Sequence, residues 1–198
     1  LTNVDTINIS GDGTITAHAD ATLGGGEYVV ANTATLSLTA AHADGLTASG
    51  TGTVAVTALE STLGANLSGL AAGLTTTAAL NSTDDKVLAS TANLTNVDTI
   101  NISGDGTITA HDDATLGGGE YVVGSTATLS LKADKVSGLD AGGDGTVVVT
   151  GTGTGTTDLS NLAAGSVNIT AADLGNGITF MTVATGDTLT LTAAQATT

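Results

Sequence analysis

Residues 33–57 read TATLSLTAAHADGLTASGTGTVAVT, and residues 126–150 read TATLSLKADKVSGLDAGGDGTVVVT. Apolar side chains alternate with Thr or Ser in each, at Leu36 and Leu38 or at Leu129 and Leu131. A second alternating run begins 18 residues later, at Val54 or Val147. An apolar period of two belongs to a half-buried strand. The step then continues to Leu74 in the first stretch, and to Val167 and Leu189 in the second, at intervals of 20 and then 22 residues. A nearly constant step of this size predicts a parallel β-solenoid (β-helix) with coils of about 20 residues, each coil adding a strand to a parallel sheet.

The same alternation recurs in INIS, TITA and VNIT. Gly-rich turns such as SGDG, GGGE and GGDG separate the runs. Thr and Val favour strands and Gly punctuates them. LSGLAAGLTTTAAL has some helical spacing, but its glycines and threonines weigh against a helix.

These strands sit inside a longer repeat. Residues 1–30, LTNVDTINISGDGTITAHADATLGGGEYVV, recur at 94–123 with one change, Ala19 to Asp112. The first repeat module is therefore 1–93 and the second 94–198, continuous with the first and diverging after about residue 165. No Pro, Ser-rich tether or charge block separates them. The closing TLTLTAAQATT (188–198) matches TLSLTAAHADG (35–45), so the chain reads as a window on a longer array. The rival architecture is a tandem pair of immunoglobulin-like β-sandwiches, whose length is close to one repeat. The composition opposes it: 40% of residues are hydrophobic but only 2% aromatic, with no Trp. A narrow solenoid interior suits Val, Ile, Leu, Ala and Thr, whereas a sandwich core relies on large aromatic anchors.

Charge excludes several functions. Three Lys and no Arg stand against 19 acidic residues, for a net charge of −16. Nucleic acid and anionic lipid need a cationic face. No apolar run is long enough to span a membrane. Catalytic inventories are also missing. There is no Cys, no G-x-S-x-G elbow and no P-loop, and the expectation is a protein that is not an enzyme. Paired carboxylates can cleave glycosides, but a repeated Asp without a cleft is usually solvated surface.

The acidity admits two readings: solubility by self-repulsion, or divalent cations as part of the folded state. Ca²⁺ takes six to eight oxygens. The candidates for it are Asp12, Asp105 and Asp144, each flanked by glycines, with Asp20 and Asp113 eight residues after the first two. Asp84 and Asp85 form a further pair. The competing role of such residues is to hydrogen-bond their own turns. His18, His42 and His111 lack a second His or Cys at zinc spacing and read as exposed turn or strand residues. Thr-x-Thr pairs such as those in TLTLT could form hydroxyl ladders of the kind used to bind ice, but β-propensity accounts for them more simply.

The phrases TLSLTAAHADGLTASGTGTVAVTALE, ANLSGLAAG and LTNVDTINISG resemble the strand-repeat arrays of very large secreted bacterial surface proteins, including RTX-type adhesins and S-layer-like proteins. The calcium-binding nonapeptide GGxGxDxUx of RTX β-rolls is absent. The resemblance implies an extracellular, cell-surface location and a structural role without catalytic residues. Two forms of that role are expected. One is a stiff rod that self-associates into a fibre, sheath or layer, with the chain itself as partner. The other is a calcium-stabilised stalk in a long adhesin that binds its ligand elsewhere.

Overall fold

A computed structural model describes residues 3–153, 156–173, 177–179 and 185–197. The fold is nearly all β, a parallel β-solenoid with coils of about 21 residues. The chain divides into two compact units. One comprises Leu1–Asn81, Ser90–Ile100 and Ala114–Gly119; the other comprises Ser82–Ala89, Asn101–Asp113 and Glu120–Thr198.

In the first unit β1 (Thr6–Ile9), β3 (Glu27–Val30) and β5 (Ala48–Gly50) form one parallel sheet in the order β1-β3-β5. Strands β2 (Gly13–Thr16), β4 (Ala34–Thr39), β6 (Thr53–Thr57) and β7 (Thr75–Asn81) form the other, in the order β2-β4-β6-β7. The first three coils thus each lend one strand to each sheet, the next lends β7 to the second sheet and a bridge from Leu70 to Ala48 to the first, and every pairing joins residues about one coil apart. The inner face carries the apolar half of the alternation: Leu36, Leu38, Val54, Val56, Ala78 and Leu80 are buried. The outer half is Thr, Ser and Ala, stacked as Thr14, Thr35, Thr53 and Thr75 across the four strands.

One expected file shifts. Val54 pairs with Thr76, not with Leu74, so that coil has 22 residues and Leu74 is buried just before the strand. The strand rise places Leu74 two positions short, on the same face, which is why the sequence pattern admits either residue.

The second unit contains β8 (Lys86–Leu88), part of β9 (Thr99–Ser103), β10 (Thr107–Ala110), β11 (Glu120–Val123), β12 (Thr128–Lys132), β13 (Ala141–Thr152), β14 (Thr156–Asp158), β15 (Leu162–Asp173), β16 (Gly177–Thr179) and β17 (Thr188–Thr190). Here the expected file is the observed one: Leu129 pairs with Val147, Val147 with Val167, and Val167 with Leu189. Strand β13 is long enough to pair with β11 at one end and β12 at the other. The corner that lets it turn is Gly143, at φ +95. Gly50 occupies the same repeat position at φ +118, and a Cβ there would lie 2.1 Å from the Val30 carbonyl oxygen. Only glycine meets both demands.

Two four-residue helical turns, Ala40–Ala43 and Ala133–Val136, follow β4 and β12 at equivalent positions. The period-two alternation of LSLTA and LSLKA runs into the first residue of each turn, so the sequence pattern does not mark where the strand stops. The Thr39 hydroxyl caps the first turn by accepting from the N–H of His42. The parallel pairing and coil-sized step exclude the tandem sandwich, whose sheets are antiparallel.

Candidate interaction site

The five carboxylates expected to hold a cation all lie on the exposed surface. Asp20 sits beside His18, with Oδ2 3.6 Å from Nδ1, and Asp113 sits beside His111 in the same way. The backbone N–H of each Asp also donates to the histidine Nδ1, at 3.2 and 3.1 Å. These are local turn contacts. The structure brings none of the five together into a ligand set: among the described residues no three His, Asp or Glu side chains converge on a point that could hold a metal. His42 is half-buried, with Nε2 2.9 Å from the Ala21 carbonyl oxygen and Nδ1 3.1 Å from the Thr39 hydroxyl.

A different set of carboxylates is engaged, and it ties one coil to the next. Asp44 Oδ1 accepts from the N–H of Asn66 at 2.8 Å, and Asp98 Oδ2 from the N–H of Thr76 at 2.7 Å. Glu60 Oε2 accepts from the N–H of Asn81 at 3.0 Å, and Asp85 Oδ1 from the N–H of Thr107 at 2.8 Å. Each spans 21 or 22 residues, one coil. Asn66 lies outside the named strands and Thr76, Asn81 and Thr107 lie at or next to strand ends, where an amide that the ladder leaves over needs another acceptor. An ionised carboxylate is a strong one. The signal available in sequence was spacing, an acidic residue about one coil from a strand end, rather than acidity near glycine.

The substitution that separates the two long copies also acquires a partner. Asp112, where the first repeat has Ala19, pairs with Lys132, where the first repeat has Thr39. The hydrogen bond from Lys132 holds the Asp112 carboxyl below the ordinary carboxylate range, and the same bond raises the Lys132 amine. Asp158 is also lowered, by hydrogen bonds from the backbone and side chain of Ser160.

The main asymmetry lies between identical residues. Ile108 is 1% exposed, whereas Ile15, its counterpart in the same string, is 54% exposed. Val97 is 2% exposed and Val4 is 37%. Strand β2 is the terminal strand of its sheet, with a neighbour on one side only, whereas β10 lies between β8 and β12. The bare end of the first unit opens a cavity of about 420 Å³ lined by Ile7, Ile9, Ile15, Leu23, Tyr28 and Leu36. Tyr28 is buried, and its hydroxyl has no hydrogen-bond partner among the described residues. Its counterpart Tyr121 is buried and engaged, and burial raises its phenol above the ordinary range.

No protein-family model, curated protein or solved structure matches the chain.

Proposed function

We propose that this chain is a structural β-solenoid scaffold, extracellular and displayed at a bacterial cell surface, that self-associates coil on coil into a fibre, sheath or layer. The observation supporting this is the coil-on-coil stacking inside the chain: the coil that carries NISGDGTITAH at 101–111 is covered by Ser82–Ala89 through parallel pairing, a packing that a like coil of another chain can repeat. A parallel edge with an apolar face gains both backbone hydrogen bonds and apolar burial when another coil covers it.

A second reading is a stalk segment of a long adhesin. It draws on the same stacking, which a segment of a continuous array would have. Electron microscopy of the purified protein separates the two. Regular filaments support self-association. Isolated particles, monomeric in sedimentation at tens of micromolar, overturn it in favour of the stalk.

A further inference from the structure

We infer that the turn Ala58–Ser61 is a strained clasp. It fastens the end of β7 to the coil before it, and it opens locally while the β6–β7 ladder stays closed. All of its residues, and those it holds, lie in the first compact unit.

The strain sits at Ala58. Its backbone is left-handed, at φ 56 and ψ 43. Among the described residues the non-glycines with positive φ are Asn3 and Ala58. Asparagine visits this region because its short polar side chain bonds locally, whereas the alanine methyl only crowds the following carbonyl. The second repeat keeps the same backbone with a glycine at the equivalent position, Gly151, at φ +68. The first repeat therefore carries a Cβ where its own copy does without one. Such a conformation persists only when its surroundings over-determine it.

Three contacts do so. The N–H and the hydroxyl of Ser61 both donate to the Ala58 carbonyl, at 3.0 and 2.7 Å. The Leu59 side chain is fully buried. Glu60 Oε2 accepts from the N–H of Asn81, the last residue of β7, at 3.0 Å. The second repeat has Thr152 and Gly153 after its glycine, with neither the leucine nor the carboxylate. The clasp thus belongs to the first repeat, where the anchor, the cap and the strain occur together.

Asp44 supplies an internal comparison. Its carboxylate takes the N–H of Asn66 at 2.8 Å, one coil ahead, from a backbone in the ordinary extended region at φ −60 and ψ 114. The two caps share their chemistry and their span. They differ in the backbone that presents the carboxylate. Opening of the Glu60 turn relaxes Ala58, draws Leu59 outward and releases the Asn81 amide. The ladder from Thr53 and Thr75 to Val56 and Ala78 stays paired. An opening this small exposes little surface, so amide exchange through it hardly responds to denaturant, whereas exchange through global unfolding does.

The test is native-state hydrogen exchange on the full chain, in denaturant below the unfolding transition. The Ser61, Thr62 and Asn81 amides should exchange faster than Asn66 and the β6–β7 ladder, at rates nearly independent of denaturant. Ala58→Gly should slow all three at least about threefold, since glycine adopts the left-handed backbone without the methyl clash. Glu60→Ala should quicken Asn81 at least about threefold by removing its acceptor. Unchanged circular dichroism is the fold control for both variants. A rate and denaturant slope shared with the ladder amides overturns the inference. So does an Ala58→Gly chain in which the three amides exchange as before or faster, or an Asn81 amide indifferent to Glu60→Ala.

Discussion

Asp44 and Ser137 occupy the same repeat position and do the same work with different atoms. Asp44 Oδ1 accepts from the N–H of Asn66, and Ser137 Oγ from the N–H of Asp158 at 2.9 Å. What the fold requires there is an acceptor aimed one coil ahead, not a charge. Asp44→Ala should therefore cost about 1 kcal/mol in denaturant unfolding, with Asp44→Ser recovering most of it. Asp112 and Lys132 show the complementary case, two residues that change together between copies. Their coupling should be measurable by a double-mutant cycle with Asp112→Ala and Lys132→Thr, and added salt should screen it. Its pH dependence has two limits. The depressed Asp112 makes the coupling fade as pH falls through that lowered value. The raised Lys132 makes it fade as pH climbs through the raised amine value. Between the ordinary carboxylate and amine ranges it is complete.

Strands β2 and β10 both lie in the string GTITA, at 13–17 and 106–110, with assigned ends offset by one residue and different surroundings. That makes them an internal control for context. Ile108→Ala removes a side chain buried on every side and should cost about 2–4 kcal/mol. Ile15→Ala should cost less than about 1 kcal/mol. Gly106→Ala forces the backbone against Asp84, while Gly13→Ala meets open space. The first should lower Tm clearly and the second should leave it nearly unchanged, although both alter the motif GDGTIT at the same position. Equal effects of the paired substitutions would mean that the two strands share an environment. At this scale most of the sheet was legible. Alternation located β1, β2, β4, β6, β15 and β17, because burial on one face of a strand writes a period of two into the residues. The Thr76 file was not legible, since Leu74 lies on the same face and is the more apolar choice.

Across the whole molecule, 19 acidic residues and three lysines act as one charge distribution. Self-repulsion opposes the compact state and opposes coil-on-coil addition alike. Raising NaCl from about 10 mM to about 0.5 M should therefore raise Tm, and light scattering should show greater association over the same range, because the Debye length falls below the spacing of surface charges. The engaged carboxylates are satisfied by backbone amides rather than gathered around a shared point, so EDTA should leave Tm within about 1 °C of its value in buffer. A chelator-induced drop of several degrees would show a bound cation in the folded state.

The amino-acid sequence by itself determined the local periods: two along a strand, about twenty from coil to coil, and 93 from copy to copy. Each follows from which side chains face inward, and that is written residue by residue. Only the tertiary structure decided which carboxylates are engaged, because their partners stand one coil away and coil length varies by several residues. Only it decided, too, that the string at 101–111 is covered by Ser82–Ala89. Identical residues encode identical preferences, and the burial of a string depends on whether another coil lies against it.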